Sequence, residues 1–193
     1  MKLRLLAPCL WVMGVLGTPV LAEPHAPWDL QALMDALEKS PAGEVGFTER
    51  KDLSLLTEPL ILKGKLDFRR PAHLEKHVLT PSEEWYVVDG DRLTIVQPEK
   101  QINRTVSLRE YPGLQAFVES LRAPLAGDRG TLEHFYRVSL GGSRQNWLLA
   151  LVPVDAEMGK LVRMVQIRGH GERIAEIRIE ESGGDVSTLT IEP

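Results

Sequence analysis

The residues of this 193-residue chain that could carry chemistry are few, and their spacing is unfavourable for catalysis or metal binding. His73 and His77 are four residues apart, a spacing that on a helix would place two imidazoles on one face, where they could bind a metal. The segment follows Pro71 and alternates like a strand, so we expect no metal site. We expect His134 at the start of a strand and His170 in a turn, ordinary positions for isolated histidines.

Paired carboxylates are also present, at Glu83-Glu84 and at Glu180-Glu181. Neighbouring residues on a strand point to opposite faces, so neither pair could act on one bond. The chain has no Gly-x-Ser-x-Gly elbow, phosphate loop or dinucleotide fingerprint. We therefore expect no catalytic residue and no cofactor, and the protein is not expected to be an enzyme. The remaining enzymatic alternative is a lipid hydrolase, in which a nucleophile and a base would meet in a cavity.

The segment 1–22 predicts a cleavable secretory signal. Two basic residues, Lys2 and Arg4, precede an apolar run that is interrupted by prolines and glycines and ends in Val20-Leu21-Ala22. Helix-breaking residues and a small-residue cleavage site favour removal of this segment over a membrane anchor. We expect a single mature domain over residues 23–193.

The only cysteine, Cys9, lies inside this segment, so the mature protein would contain neither a disulfide nor a reactive thiol. Pro8 precedes it and most of the apolar run follows it, which is unlike a bacterial lipobox, and we expect no lipid on Cys9. An exported protein without cysteine is typical of the bacterial periplasm. Loss of Lys2 and Arg4 would change the formal charge from −4 to −6, which disfavours nucleic acid as a partner.

The apolar periodicity predicts two amphipathic helices. The first begins after Pro27-Trp28-Asp29, and its apolar residues recur at spacings of three and four: Leu30, Leu33, Met34 and Leu37. The second is predicted over 112–123, from Pro112 to a break at Pro124 and Gly127, with a similar stripe: Leu114, Phe117, Val118 and Leu121.

The rest of the chain alternates with a period of two, which predicts about eleven short strands. They lie at about 44–49, 60–69, 73–79, 84–89, 92–98, 102–108, 134–140, 145–152, 161–169, 173–181 and 186–191. Asp89-Gly90-Asp91 is a hairpin signal, so the pairing should be antiparallel, and Gly64 inside a strand indicates a bend or bulge. We predict a mainly β fold with α: an incomplete antiparallel β-barrel of about eleven strands, with a helical lid over its concave side.

One face of the predicted sheet carries apolar side chains that could either fill a core or line a lipid-sized cavity. The candidate ligand-binding residues on this face are Leu62, Leu66, Phe68, Trp85, Val87, Leu93 and Ile95. The candidate lid residues are Leu30, Leu33, Met34, Leu37, Phe117 and Leu121. Both outcomes leave the same pattern in a sequence, so the pattern alone does not decide between them.

Three short motifs follow one another in the first half of the chain. They are Phe47-Thr48-Glu49-Arg50, Gly64-Lys65-Leu66-Asp67-Phe68-Arg69-Arg70-Pro71 and Val88-Asp89-Gly90-Asp91-Arg92-Leu93. In order and spacing they resemble the LolA family of periplasmic outer-membrane lipoprotein carriers. The resemblance implies a half-open barrel whose apolar cavity receives lipoprotein acyl chains from an inner-membrane release complex and passes them to an outer-membrane receptor. It also implies that Arg70, which shares a strand face with Leu66 and Phe68, helps to hold the lid closed and lies at the ligand-binding site.

The likeness is partial, because Leu66-Asp67-Phe68 replaces the family's tryptophan-rich run and the segment 139–191 is closer to a divergent LolA-like subgroup. The expected cargo is therefore an acylated lipoprotein or another acyl lipid, such as a fatty acyl or polyene lipid, carried by a monomer. A different class of function stays open: a non-transporting envelope protein that binds a partner protein or peptide with the same half-barrel. Such a protein would show a filled concavity and an exposed apolar rim or a free sheet edge.

Overall fold

The computed structural model describes residues 28–192, so the predicted signal segment and Cys9 lie outside the described residues. The helices are α1 (Leu30–Glu38), α2 (Pro112–Ala126), α3 (Arg129–Phe135) and α4 (Ala156–Gly159). The strands β1 to β11 are, in chain order, Gly43–Asp52, Leu60–Arg69, His73–Thr80, Glu84–Asp89, Arg92–Gln97, Ile102–Ser107, Tyr136–Ser143, Asn146–Pro153, Val162–His170, Arg173–Glu181 and Val186–Ile191. Short 3₁₀ helices follow β5 and β6, at Pro98–Lys100 and Leu108–Glu110.

All eleven strands form one antiparallel sheet in the order β6-β5-β4-β3-β2-β1-β11-β10-β9-β8-β7. Two meanders, β1 to β6 and β7 to β11, are joined where β1 pairs with β11. Within the described residues, β6 and β7 form the two edges and do not pair with each other. The predicted incomplete antiparallel barrel of eleven strands is confirmed.

Gly64 lies at the bulge that the sequence predicted. The register between β2 and β3 shifts between Lys63 and Gly64. A Cβ atom at Gly64 would lie 2.0 Å from the carbonyl oxygen of His77, closer than any side chain could come. Glycine therefore lets the two backbones approach where the sheet bends.

The main hydrophobic core lies between the helices and the C-terminal strands. Asp29 begins α1 by accepting a hydrogen bond from the backbone N–H of Ala32. The apolar stripe of α1 then packs into this core, where Leu33, Met34 and Leu37 are completely buried. Other completely buried members of the core come from β8 and β9: Leu149, Leu151, Val165 and Ile167.

The second helix is longer than predicted. It continues through Pro124 to Ala126 and ends at Gly127, whose φ of 70° favours glycine. A proline inside a helix removes one hydrogen bond, and here Pro124 is buried, which offsets part of that cost. No helix among residues 28–192 combines the length and the apolar character needed to cross a bilayer.

A third helix lies where the sequence predicted the start of a strand. Asp128 accepts a hydrogen bond from the backbone N–H of Thr131 and begins α3, so β7 starts only at Tyr136. His134 is therefore a helical residue, and its predicted position at a strand start is wrong. Asp128 is a residue type that favours the start of a helix and could have signalled this one. The helix has only seven residues, so its own pattern is short.

Candidate ligand-binding cavity

A cavity of about 1010 Å³ lies on the concave side of the sheet, beneath α2. Its wall is mostly apolar, with contributions from the central strands of both meanders and from one face of the helix. The apolar residues of α2 that line it are Leu114, Phe117, Val118, Leu121 and Leu125, and those of β10 and β11 include Ile174, Ile177, Ile179 and Leu189. This volume is at the upper end of the ~300–1,000 Å³ that small-molecule sites occupy.

The structure places most of the predicted ligand-binding residues on the cavity wall. Those on the wall are Leu62, Leu66, Phe68, Arg70, Leu93 and Ile95. Whether they bind a ligand stays a prediction.

The placement of Trp85 and Val87 is wrong. Successive side chains on a strand alternate between the two faces of the sheet, and on β4 it is Tyr86 and Val88 that line the cavity. Trp85 instead stacks on His77, with ring centroids 4.5 Å apart, on the outer face. The hairpin could have given the correct phase, because Val88 lies directly opposite Leu93 and cross-strand partners share a face.

The two predicted lid helices contribute differently. Phe117 and Leu121 of α2 face the cavity, as predicted. The predicted lid residues of α1 do not lie on the cavity wall, because this helix is packed against α2, α3 and the core: Leu30, Leu33, Met34 and Leu37. The cover of the cavity is therefore α2.

Arg70 joins β2 to the C-terminal end of α1. Its Nη2 donates to the carbonyl oxygens of Leu37, at 3.1 Å, and of Ser40, at 2.9 Å. The last carbonyls of a helix lack partners within it, and the helix dipole also favours a cation there. The guanidinium lies 5.7 Å from the ring centroid of Phe68. Arg70 therefore contacts the end of α1 and not α2, the helix that covers the cavity, and the latch on the lid that the family resemblance implied stays a prediction.

A second arginine, Arg122, fixes α2 to the sheet, and the sequence analysis missed it. Arg122 pairs with Glu119 one turn earlier on α2, and this carboxylate is only 5% exposed. Its Nη1 also donates to the carbonyl oxygen of Gly90, at 2.6 Å, in the turn between β4 and β5. The signal in the sequence was an acid and a base three residues apart on an otherwise apolar helix.

One end of the cavity is polar, and we call it the polar end: Glu49, Lys51, Lys76, Glu84, Tyr86 and Ser187. Glu49 on β1 is 3% exposed and accepts from Lys76 Nζ at 2.5 Å and from the Ser187 hydroxyl. Burial by itself would raise the pKa of Glu49, but Lys76, Lys51 and the two hydrogen bonds outweigh it and lower that pKa. Burial is also the main reason that the pKa of Lys76 is lowered, although Glu49 opposes the effect.

The other half of the polar end is a chain of hydrogen bonds around Tyr86. The Tyr86 hydroxyl donates to Glu84 at 2.7 Å and accepts from Gln97, while Lys100 donates to Glu84 at 3.0 Å. Burial and the neighbouring Glu84 raise the pKa of Tyr86 to about 12. Within residues 28–192, no three histidine, cysteine or acidic side chains are grouped so that they could hold a metal ion.

A family model described as outer membrane lipoprotein carrier protein LolA-like matches residues 22–191. The chain belongs to this LolA-like family. The match begins where the predicted signal ends and covers all eleven strands of the LolA-like sheet. No curated protein matches the sequence significantly.

Solved structures similar to this LolA-like chain come from several bacteria. A LolA superfamily protein from Nitrosomonas europaea is 12% identical over 85% of this chain and 91% of that one, with a TM-score of 0.47. MucA/MucB from Pseudomonas aeruginosa gives 16% identity over 84% of this chain and 53% of that one, with a TM-score of 0.44. LprF from Mycobacterium bovis gives 11% identity over 84% and 91%, with a TM-score of 0.36.

Proposed function

We propose that this protein is a periplasmic carrier that shelters the acyl chains of lipoproteins or related lipids and delivers them to the outer membrane. The observation that carries the proposal is the unfilled apolar cavity of about 1010 Å³ beneath α2, in a chain of the LolA-like family. If the apolar side chains around this cavity served only as a hydrophobic core, they would fill it, because protein interiors pack to crystal-like density. The periplasmic location is supported by the signal-like pattern of residues 1–22.

The energetics of burial favour acyl chains as cargo. Each methylene removed from water contributes ~0.8 kcal/mol, so about a dozen contribute roughly 10 kcal/mol. Association costs ~4–15 kcal/mol in lost motion, which a single long chain can offset in favourable cases and several chains offset with a margin. A cavity without strong polar contacts over most of its wall therefore suits long apolar chains.

A non-catalytic role is part of the same proposal. The lipid-hydrolase alternative needs a nucleophile and a base in the cavity, and Ser187 does donate its hydroxyl to Glu49. The lowered pKa of Glu49 makes this carboxylate a poor base, and Lys76 holds it in its ionised form. The geometry thus supports an ion pair in the cavity wall and gives no support to an activated serine.

The partner-binding alternative is favoured by one observation, the free edges of β6 and β7 within the described residues. That alternative also expects a filled concavity, and the cavity beneath α2 weighs against it. The open cavity therefore favours a carrier.

Native mass spectrometry tests the proposal directly. The protein should be expressed with residues 1–22, purified from the periplasm without detergent and sprayed under non-denaturing conditions. We expect bound acyl lipids or lipopeptides that leave at high collision energy. Protein that is consistently empty, and that also fails to bind an acylated peptide added after purification, would overturn the proposal.

A further inference from the structure

The polar end has a feature that a container for purely apolar chains does not require: hydrogen-bond donors that remain open to the cavity. Both oxygens of Glu49 are occupied, one by the Ser187 hydroxyl and the other by Lys76. Lys76 uses one of its N–H groups on Glu49, and its side chain is 24% exposed. Lys51 approaches Glu49 only to 3.9 Å, with a side chain that is 33% exposed. The carboxylate oxygens of Glu49 are therefore enclosed, whereas Lys51 and Lys76 keep N–H groups that could donate to a ligand.

The charges of the polar end also leave an excess. Glu49 compensates one of the two lysines, Lys51 and Lys76, while Glu84 is compensated by Lys100 at 3.0 Å. The other acids on the cavity wall are Glu181 at the end of β10 and Glu192 after β11, which are both exposed to solvent and therefore screened. One positive charge at the polar end is thus left without a partner among these groups.

Stability alone does not account for this arrangement. Removing a lysine and a glutamate from water costs more than their attraction returns in many proteins, and apolar residues of similar size are often as good or better. The same low-dielectric surroundings strengthen the attraction between a free ammonium and an anion that enters the cavity. The pair of Lys76 and Glu49 has a use here if a ligand brings an anionic acceptor for the N–H groups that Lys76 and Lys51 do not use on Glu49.

We propose that the polar end is a headgroup subsite, in which Lys51 and Lys76 bind the carboxylate of a long-chain fatty acid whose chain lies along the apolar wall beneath α2. The inference rests on the proposed function, because it requires that the cavity binds acyl chains. The cavity wall includes Gly43, Val45, Glu49 and Lys51 of β1. Gly43 and Lys51 are eight positions apart, ~26 Å of strand, which gives an extended chain room beside the polar end. A carboxylate carries one negative charge, which equals the uncompensated charge of the site.

The shared chemistry is a single acyl chain that ends in an anionic oxygen acid, and a phosphate could also provide it. We would measure dissociation constants of delipidated protein for dodecanoate, dodecanol and monododecyl phosphate, by displacement of a fluorescent acyl probe below the micelle concentration. We expect dodecanoate to bind about tenfold more tightly than dodecanol, the effect of one hydrogen bond to a charged group. Tighter binding of the dodecyl phosphate than of dodecanoate would overturn the carboxylate assignment.

The key variant is Lys51→Met, because Lys51 is partly exposed and does not hold Glu49 directly, so the fold should survive. It should lose most of the preference for dodecanoate and keep the affinity for dodecanol. Lys63→Met is the matched control, since it removes the same charge from the outer face of β2 and should leave the preference unchanged. A double variant, Glu49→Gln with Lys76→Met, removes the buried pair and leaves the single positive charge of Lys51 in the site, so it should keep a preference for dodecanoate over dodecanol.

The outcomes separate this proposal from the proposed function. If dodecanol and an acylated peptide bind but dodecanoate has no advantage, or if Lys51→Met weakens dodecanol and dodecanoate equally, the headgroup subsite is rejected and the carrier survives. If none of the acyl ligands binds to folded protein, the carrier function itself is rejected.

Discussion

Arg70 shows how a single side chain can connect a strand to a helix end. Its guanidinium reaches two carbonyls, those of Leu37 and Ser40, from the cavity-facing side of β2. Because guanidinium groups carry several fixed donors, one residue can satisfy both acceptors at once. Movement of α1 away from the sheet would have to break both hydrogen bonds.

We predict that Arg70→Leu will load acylated cargo normally and hand it over poorly. The variant loses the two hydrogen bonds to the end of α1 and adds apolar surface that faces the ligand, so the loaded state is favoured over release. Transfer of a fluorescent acylated peptide to acceptor membranes, or to the cognate receptor, measures the effect. Arg69→Leu is the control, because Arg69 pairs with Asp67 and is exposed. Equal transfer rates for wild type and Arg70→Leu would make Arg70 an ordinary surface charge.

Glu49 should make the stability of the protein depend on acidity. Its pKa is lower in the folded state than its usual value of 4.5, so the unfolded chain takes up a proton first as the pH falls. The stabilisation is therefore complete at neutral pH and is lost as the pH falls below about 4.5. Urea unfolding between pH 7 and pH 3 should show this loss.

We predict that Glu49→Gln will lower the free energy of unfolding at pH 7 by about 3 kcal/mol, because Lys76 stays buried without its counter-charge. The pH dependence of the variant should also be flatter than that of the wild type below pH 5. Asp185→Asn is the comparison, since Asp185 is a turn carboxylate that hydrogen-bonds Ser54. A Glu49→Gln protein with unchanged stability and the same acid profile would show that the buried pair contributes nothing.

At the scale of the elements, alternate residues of β2 face the cavity on one side of the sheet and solvent on the other. Leu66 faces the cavity and Lys63 faces outward on the same strand. A carboxylate on the cavity face would have to lie among acyl chains, where it is poorly solvated.

We predict that Leu66→Glu will reduce acyl-probe binding by at least about tenfold, whereas Lys63→Glu will leave it within about twofold, since burial of a carboxylate costs more than 1.4 kcal/mol. Circular dichroism should show that both variants are folded. Equal losses for the two variants would contradict the assignment of the concave face as the binding face.

Helix α2 is attached to the sheet through Arg122, which pairs with Glu119 on the same helix. Arg122 links this helix to the turn at Gly90, and its loss would leave Glu119 buried without its counter-charge. We predict that Arg122→Met will lower the free energy of unfolding by about 3–5 kcal/mol. Arg129→Met breaks a solvent-exposed pair with Glu133 in α3 and should cost less than about 1 kcal/mol. Similar urea midpoints for the two variants would show that the Arg122 contacts are energetically unimportant.

The sequence predicted every strand of the sheet because alternation and turn residues are local signals, and these are strong throughout residues 43–191. The predictions for the facing of β4 and for the start of β7 are wrong, because the local signals there are weak. In β4 only Glu84 is charged before Asp89, so alternation could not fix which of Trp85 and Tyr86 faces the cavity. The short helix α3 is not predicted, and its last two residues, His134 and Phe135, fall within the strand predicted at about 134–140.

The polar end could not be predicted for a different reason. Glu49 and Ser187 are 138 positions apart, and Lys76 reaches Glu49 across β2. Only the order of strands in the folded sheet brings them together, and a single sequence does not contain that order explicitly. The apolar wall, in contrast, could be predicted in part, because the alternation within each strand indicates which of its faces is apolar.

At the scale of the whole molecule, the proposed carrier function requires export, because such a carrier would work between two membranes. We predict that the protein recovered from the periplasm begins at or within a few residues of Glu23 and has no lipid on Cys9, since Val20-Leu21-Ala22 provides a cleavage site. Intact-mass measurement decides this. A retained N-terminus or the added mass of a diacylglycerol would place the protein on a membrane and contradict the free carrier.

Within the part of the chain that the structure describes, β6 and β7 are unpaired edges of the sheet, and this has a mechanical consequence. In a closed barrel the circumference is set by the number of strands and their stagger, and it cannot change without breaking hydrogen bonds. An open sheet of eleven strands can instead widen or tighten through small changes of twist spread over ten strand pairs, with every ladder intact. The width of the cavity is thereby adjustable, which would let the proposed carrier hold cargoes with one, two or three chains in close contact with the same fold.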